Sequence, residues 1–309
     1  MRPDLRTVGG GCEDASRLIG ERAGAGTVLA DVVDRLRCPH CADDAVGLAL
    51  SGRTLRCPNG HSFDVAKQGY VSLLTGHAPP VPGDTAAMVA AREAFLAGGH
   101  FTPITSALVT AVAGVAGSAP GVHLLDLGAG TGHYLAAVLD EVPGGVGVAA
   151  DISGYALRRA ARAHARAGAV RCDAWRPLPL RSGAVDVVLN VFAPRNGAEL
   201  NRVLNPGGVV LVVAPTDRHL RELASAVGAV SVDPRKADRL DAALGPYFTR
   251  AGGEVVEASL RLTHAEAVTA VAMGPAAWHV EPAVLAARVA ALPEPVDVTL
   301  SVTLSTYRR

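Results

Sequence analysis

Short, mostly apolar runs alternate with longer Ala- and Arg-rich stretches along the second half of the chain. Five such runs cover residues 122–126, 145–151, 169–173, 185–190 and 208–214. Runs of this length that are rich in β-branched residues indicate buried strands, and the stretches between them are long enough for helices. The pattern therefore predicts an α/β fold, in which helices cover both faces of a parallel sheet.

A glycine-rich loop follows the first of these predicted strands. Residues 126–132 read Asp-Leu-Gly-Ala-Gly-Thr-Gly, whereas a dinucleotide-binding fingerprint would need its third glycine at His133. Glycine lets the backbone pass close to a ligand at the carboxyl edge of an open α/β sheet, where such sheets bind small molecules. The loop thus predicts a cofactor site that includes Gly128, Gly130 and Gly132.

Acidic residues close three successive predicted strands, namely Asp126, Asp151 and Asp173. Asp126 suits a cationic amino group better than a pyrophosphate. Asp151 stands where an acceptor for a ribose diol is expected, and Asp173 is placed to meet an adenine amino group. Together with the glycines, these acids predict S-adenosylmethionine as the ligand. A glycine-rich turn in an ordinary nucleotide-binding sheet is the alternative.

Three cysteines and one histidine form a spaced pattern in the first quarter of the chain. Cys38 and Cys41 are followed by Cys57 and His61, which gives C-x2-C-x15-C-x3-H. Two short knuckles of this kind can bring four ligands to one tetrahedral zinc ion. Because protein atoms fill all four positions, the ion would stabilise a module too small to fold alone and would not hold a catalytic water. The alternative is a reactive or redox role for the cysteines.

Length and charge set bounds on domains and partners. The chain has 309 residues, enough for about two domains of roughly 150 residues, and its 29 Lys and Arg residues balance 29 Asp and Glu residues. Zero net charge argues against coating of nucleic acid or membrane by charge alone. We expect a poorly ordered extension over residues 1–36, a zinc ribbon over 37–76, a linker over 77–84 and a methyltransferase domain over 85–309.

One uncharged stretch lies between Glu93 and Asp126. It contains too many polar residues, glycines and prolines for a membrane-spanning helix, and no secretory signal begins the chain. We therefore expect a cytoplasmic protein without a membrane partner, in which this stretch forms a buried helix that leads into the first strand.

Several motifs resemble one known family. Residues 38–74, from CPHC through CPNGHSFDVAKQGYVSLL, are similar to the ribbon of the zinc-containing 23S rRNA guanine-N1 methyltransferases. Asn190–Asn196 and Met273–His279 are most similar to the actinobacterial branch that confers resistance to tylosin-type macrolides. The resemblance covers residues 36–309. Further matches are Gly83–Thr85, Met88, Ala91-Arg92, Phe95-Leu96, Gly99–Phe101, Asp126–Gly130, Val191–Pro194 and Asn205–Gly208.

This resemblance implies a class I, Rossmann-like S-adenosylmethionine-dependent methyltransferase sheet preceded by a zinc ribbon. It implies methylation of guanine N1 in the hairpin 35 loop of 23S rRNA, at a position of the 748 type. Zinc would be held by the four residues named above, and the cofactor would lie near Gly130, Thr131, Phe101 and His219. Alternatively, Phe101 is a core aromatic and His219 a polar residue at a helix start. A homodimer is also implied, although no surface pattern in the sequence indicates one.

The implied reaction calls for residues that act on the base. Guanine N1 lies on the Watson–Crick edge, so the enzyme must take an unpaired base or flip one out, and the N1 proton must be lost. Asp84, before the catalytic domain, and Asn190, at the end of the fourth strand, are the catalytic candidates, and Phe192–Pro194 could pack against the base. Alternatively, Asp84 caps the following helix and Asn190 only closes its strand.

Basic side chains give the RNA hypothesis its physical content. Residues 158–181 contain seven arginines and one acid, and the ribbon carries a small excess of positive charge. Such faces can position phosphates while the ribbon and the pocket recognise loop shape. A solvated helix face is the alternative for the arginine-rich helix. The predicted RNA contacts are Arg53, Arg56, Lys67, Arg158 and Arg162.

Two other functions stay open at this point. The chain could be a small-molecule methyltransferase with a structural zinc module, or a zinc-ribbon RNA-binding protein without activity. The intact glycine loop with Asp126 and Asp151 disfavours loss of activity, and the RNA-family ribbon disfavours a small-molecule substrate.

Overall fold

The architecture is that of a computed structural model, which describes residues 27–76, 83–116, 121–228 and 242–309. A small N-terminal unit contains helix α1 (Thr27–Ala30), a 3-10 turn (Val33–Arg35) and strands β1 (Ala49–Ser51), β2 (Thr54–Arg56), β3 (Ser62–Asp64) and β4 (Val71–Ser72). Strands β1, β2 and β3 form an antiparallel sheet in that order. Short strands joined by tight turns are typical of a ribbon.

The second unit alternates strands and helices. Its elements are α2 (Ala86–Ala97), α3 (Thr102–Ala116), β5 (His123–Leu127), α4 (His133–Glu141), β6 (Val146–Asp151), α5 (Gly154–Ala160), β7 (Ala167–Arg171), β8 (Val185–Val191), α6 (Gly197–Val203), β9 (Leu204–Pro215), α7 (Arg221–Val227), β10 (Thr249–Leu262), α8 (His264–Ala272), a 3-10 turn (Pro275–Trp278), α9 (Pro282–Ala290) and β11 (Val296–Arg308). All five strands predicted from the apolar runs are present, with ends shifted by a few residues.

One sheet of eight strands organises this unit, in the order β10-β11-β9-β8-β5-β6-β7-β4. Strands β4 to β9 pair in parallel, which confirms the predicted parallel sheet, whereas β10 and β11 are antiparallel and were not predicted. Strand β5 lies between β6 and β8, so the strand order reverses at β5. Strands β6 and β7 follow on one side of β5, and β8 and β9 lie on its other side. This switch point is where open α/β sheets bind ligands, at the carboxyl ends of the strands.

Both faces of the large sheet are buried. On β9, Val209, Leu211 and Val213 belong to the core on one face, and Val210 and Val212 belong to the core on the other. Each fully buried Val or Leu side chain stabilises the fold by roughly 1.5–3 kcal/mol relative to exposure. The sheet is therefore a rigid base for the loops at its carboxyl edge.

The residues before the ribbon differ from the prediction of a poorly ordered extension over 1–36. Residues 27–36 are packed: Leu29 and Val32 are buried against β7, and a Cβ placed on Gly168 would lie only 2.5 Å from Val32 Cγ2. Apolar side chains at helical spacing need a partner surface, and β7 supplies one. Residues 1–26, and residues 77–82 of the predicted linker, lie outside the described residues.

Within the described residues, no single helix has both the length and the apolar character needed to cross a membrane. Helices α2 and α3 would be long and apolar enough if taken together, but the chain bends by 79° between them. Both carry buried residues of the same core.

Candidate active site

A cavity of about 550 Å³ opens at the carboxyl edge of the large sheet. The glycine loop forms its floor, the segments that follow β6, β7 and β8 form its sides, and α2 and the end of α8 close it from above. Of the predicted cofactor residues, those that line this cavity are Phe101, Gly128, Gly130, Thr131, Asp151, Asp173 and His219.

The glycine loop is shaped by left-handed backbone. Gly128 and Gly130 have φ values of 79° and 55°, which glycine adopts at little cost. A Cβ on Gly128 would lie 2.4 Å from the Cβ of Ala193, so any side chain there would collide with the loop after β8. Gly132 also has a positive φ, of 80°, but it does not line the cavity, because a Cβ there would meet Ala160 and Ala163. Gly132 therefore lets α4 pack closely on α5, and its contact with the cofactor stays a prediction.

Asp126 lies beneath the glycine loop and does not line the cavity, contrary to the expectation of direct contact with the ligand. Its side chain is buried, and neither carboxylate oxygen has a well-formed hydrogen bond with a described residue. Burial raises the pKa of Asp126 to about 7, and the charge of Asp151 adds to the effect. A buried carboxylate without a partner favours a nearby positive charge through its field.

Asp151 is the last residue of β6, and Asp173 lies two residues after the end of β7, close to the predicted strand ends. Asp151 accepts hydrogen bonds from the backbone N–H groups of Gly130, at 2.8 Å, and Ser153, at 2.7 Å. Burial nevertheless raises its pKa. Asp173 accepts from the N–H of Trp175 at 2.9 Å. Each carboxylate keeps lone pairs for further donors, which is what a ribose diol and an adenine amino group offer.

Asp84 faces the same cavity, but as one half of an ion pair. Its carboxylate accepts a hydrogen bond from Arg92, whose other terminal nitrogen donates to the carbonyl of Met273 at 2.8 Å. The helix cap considered for Asp84 belongs to its neighbour, because the side chain of Thr85 accepts from the N–H of Met88. No role for Arg92 could be predicted from the sequence, because its two partners lie 8 and 181 positions away along the chain.

Asn190 is not among the residues that line the cavity, and its role toward the base stays a prediction. It is fully buried, and its Nδ2 donates to the carbonyl of Pro194 at 2.9 Å. A longer contact of 3.5 Å joins the same nitrogen to the carbonyl of Leu127. Asn190 therefore links the loop after β8 to the start of the glycine loop. This agrees with the alternative interpretation, in which its hydrogen bonds close the end of the strand.

Three rings form a group at one end of the cavity. Phe192 stacks on His219, with 5.5 Å between ring centroids, and Phe101 lies within 6.2 Å of both. Phe192 has φ of 54° and is 40% exposed, an unusual backbone for a bulky side chain. Phe101 belongs to the hydrophobic core and also lines the cavity, so its contact with the cofactor stays a prediction. Backbone strain such as the positive φ of Phe192 is often found at functional sites.

The ribbon brings its four predicted ligands together. One ligand atom from each of Cys38, Cys41, Cys57 and His61 lies within 4.8 Å of the others. His61 Nδ1 is 3.4–3.6 Å from the three sulfurs. An ideal tetrahedral zinc site would place sulfur and nitrogen ligands about 3.5 Å apart. The donor set therefore fits zinc, and His40 stacks on the ring of His61 outside the set.

The predicted RNA contacts all lie on the surface, and the structure separates them from structural arginines. Arg166 donates to the carbonyls of Val142 and Gly145 at the end of α4, and Arg171 donates to the carbonyl of Ile152. Some of the arginines in residues 158–181 therefore bind backbone carbonyls of this chain and do not contribute to a surface for RNA. In the ribbon, Arg53 also donates to two backbone carbonyls.

Comparison with known proteins agrees with both units. A family model described as "RlmA, N-terminal" matches residues 36–78, and one described as "Methyltransferase domain" matches residues 124–208. A protein of Streptomyces fradiae, named "23S rRNA (guanine(748)-N(1))-methyltransferase", is 49% identical over 278 residues, which are 90% of this chain and 98% of that protein. The chain belongs to the 23S rRNA (guanine-N1)-methyltransferase family.

Two further proteins are similar to this methyltransferase in sequence or in structure. A Micromonospora griseorubida protein named "Putative 23S rRNA (guanine-N(1)-)-methyltransferase" is 53% identical over 90% of this chain and 98% of its own length. A Geobacter sulfurreducens S-adenosylmethionine-dependent methyltransferase, solved with S-adenosylhomocysteine, is 19% identical, with a TM-score of 0.43 over 66% of this chain and 91% of that chain. The methyltransferase uses S-adenosylmethionine and carries a zinc ribbon.

The cavity fits that cofactor on its own chemistry. The side chains absent from Gly128 and Gly130 leave a backbone cradle, and acids follow at the ends of the next two strands. The buried carboxylate of Asp126 favours a cation above it. When bound, S-adenosylmethionine supplies an electrophilic methyl group on a sulfonium. The residues of this chain align that group with the acceptor and exclude water.

Proposed function

We propose that this methyltransferase modifies N1 of a guanine in the hairpin 35 loop of 23S rRNA, at a position of the 748 type, and that the modification confers resistance to tylosin-type macrolides. The observation that carries the proposal is the 49% identity, over nearly the whole of both chains, to the Streptomyces fradiae protein whose name specifies guanine 748. A bacterial rRNA substrate also assigns the reaction to the cytoplasm.

The target guanine would stack on Phe192. This ring is exposed at the cavity, next to His219, and Trp175 presents a second exposed ring on the rim. Unstacked bases are commonly held on aromatic side chains, with about 1–3 kcal/mol for each stacked base. A base on Phe192 would point its Watson–Crick edge into the cavity that holds the methyl donor. Of the three carboxylates on this cavity, Asp84 is proposed to receive the N1 proton, on the oxygen Oδ1 that is not the one bonded to Arg92.

The backbone of the RNA would run along a basic groove beside the cavity. This groove of about 720 Å³ is lined by Arg158, Arg159 and Arg162 of the α5 region and by Gln68 of the ribbon. Arg159 is paired with Glu93 at 3.3 Å, whereas Arg158 and Arg162 have no acidic partner among the described residues. Leu96, Thr131 and His133 line both the groove and the cavity. The ribbon cations Arg53, Arg56 and Lys67 would extend this contact.

Primer extension tests the target. Purified protein, S-adenosylmethionine and a hairpin 35 fragment should give one reverse-transcription stop in the loop, and a fragment with adenine in place of the target guanine should give none. Absence of the stop, with cofactor binding intact, would overturn the assignment. A stop elsewhere in 23S rRNA would replace hairpin 35 by that site.

A substitution tests the stacking of the base. Phe192→Ala should lower kcat/KM for the RNA fragment by roughly 10- to 100-fold, as expected for loss of one stacked base. Phe192→Tyr keeps a ring and should retain most of the activity. Equal activity of the alanine variant and the wild type would refute the stacking role.

Resistance is tested in cells. A tylosin-sensitive strain that expresses the wild-type chain should tolerate more tylosin than the same strain with the Asp151→Ala variant, which we expect to bind the cofactor poorly. Equal sensitivity of the two strains, with the rRNA methylated only by the wild type, would separate the activity from resistance.

A further inference from the structure

The cavity contains few charges, and most of them are negative. Its charged lining residues are Asp84, Asp151, Asp173, Arg92 and Arg195. The amino-acid end of S-adenosylmethionine carries a carboxylate, which costs free energy to bury unless a cation or several donors receive it. Two arginines are therefore the candidates for this carboxylate.

The two arginines differ in position. The electrostatic neighbour of Arg195 is Tyr307, whose ring belongs to the core on the sheet face opposite to α2. Arg92 projects from α2 across the glycine loop: a Cβ on Gly130 would lie 3.4 Å from Arg92 Nη1. Arg92 thus places its guanidinium directly over the loop that forms the cofactor cradle, which makes it the stronger candidate.

The guanidinium of Arg92 is oriented before any ligand arrives. Asp84 holds one terminal nitrogen and the carbonyl of Met273 holds the other. A guanidinium has five N–H donors, so these two bonds leave further donors for a ligand. Because both anchors come from other parts of the chain, the side chain is fixed between the loop before α2 and the end of α8.

We propose that Arg92 binds the carboxylate of the methionine part of the cofactor, and that Asp84 keeps its guanidinium in place. A planar guanidinium matches a carboxylate in a bidentate manner, and such charge-assisted bonds are the strong ones. The arrangement selects S-adenosyl compounds with a complete amino-acid end over adenosine thioethers that lack it. The proposal concerns the cofactor alone and does not depend on the RNA target.

Calorimetric binding of two ligands tests it. S-adenosylhomocysteine has the complete amino-acid end, and 5′-methylthioadenosine lacks it. Arg92→Gln should weaken S-adenosylhomocysteine binding by roughly 10- to 100-fold, the range expected for charge-assisted hydrogen bonds. Binding of 5′-methylthioadenosine should change by less than about two-fold, because the adenosine contacts at Asp151 and Asp173 are untouched.

Arg195→Gln is the matched control, since it removes the same charge from the same cavity. It should leave the ratio of the two affinities unchanged. Equal losses of both ligands in a folded Arg92→Gln protein, or a change of the ratio in Arg195→Gln alone, would overturn the proposal. If Arg92→Gln does not fold, the test uses the wild-type protein, and its affinity for S-adenosylmethionine is compared with its affinity for decarboxylated S-adenosylmethionine. Weaker binding of the decarboxylated compound supports the carboxylate contact, and equal binding refutes it.

Discussion

The buried carboxylate of Asp126 makes the stability of the cofactor-free protein depend on pH. Its pKa is about 7 in the folded chain, against 3.8 in its ordinary environment, because burial and the charge of Asp151 disfavour ionisation. Asp126→Asn keeps the size and shape of the side chain and removes its titration. The difference between the two proteins at each pH therefore reports the titration of Asp126 together with its electrostatic interaction with Asp151.

The sign follows from the protons bound. Between pH 4 and pH 7 the folded wild type keeps a proton on Asp126 that the unfolded chain has lost, so its stability falls as the pH rises through this interval. About three pH units correspond to an upper limit of about 4 kcal/mol. Asp126→Asn lacks this dependence. The difference in free energy of unfolding, variant minus wild type, should therefore rise by up to about 4 kcal/mol between pH 4 and pH 8.

Urea unfolding of cofactor-free protein at several pH values measures this difference. At about 2 °C for each kcal/mol in a domain of this size, thermal melts should show a relative shift on the order of 8 °C. Saturating S-adenosylmethionine should reduce the dependence in the wild type, because its positive charges favour ionised Asp126. Parallel curves of stability against pH for the two proteins would refute the reasoning.

Three further substitutions test the rest of the site. Cys57→Ser should lower bound zinc below one equivalent by metal analysis, and full metal content would remove Cys57 from the ligand set. Gly128→Ala should destabilise the fold by roughly 1–3 kcal/mol in urea unfolding and abolish S-adenosylhomocysteine binding, since φ is 79° and the new Cβ meets Ala193; unchanged stability would contradict the close approach. Asp151→Ala should weaken that ligand about 10-fold or more but leave RNA affinity within about two-fold, and equal losses would argue against a ribose contact.

Local pattern was enough to predict the parts of this molecule that are continuous in sequence. The five predicted strands β5 to β9, the glycine loop and the two pairs of zinc ligands each occupy short segments, so spacing and residue type determine them, whereas the long antiparallel strands β10 and β11 were not predicted. The acids Asp151 and Asp173 were found for the same reason, because each comes at or just after the end of a strand whose neighbours in the sheet follow from the parallel order.

What the sequence did not predict depends on contacts between distant segments. The guanidinium of Arg92 is held by the carbonyl of Met273, 181 positions later, and the amide of Asn190 is held by the carbonyl of Pro194 in the loop after β8. Gly132 resembles its two neighbours in sequence, yet packing against α5 accounts for it. The backbone of Phe192 could not be inferred either, since nothing local marks a phenylalanine for positive φ.

The zinc ribbon and the cofactor cavity are joined through the segment after β7, against which residues 27–36 also pack. Strand β4 pairs with β7, and Leu36 forms a bridge with Leu180. Arg37, directly before the first zinc ligand, donates to the carbonyl of Leu178 at 3.3 Å. The residues between β7 and these contacts carry Asp173 and Trp175. The ribbon therefore supports the wall of the cavity that carries Asp173 and Trp175, so its proposed RNA-binding surface lies on a unit that packs directly against the proposed cofactor site.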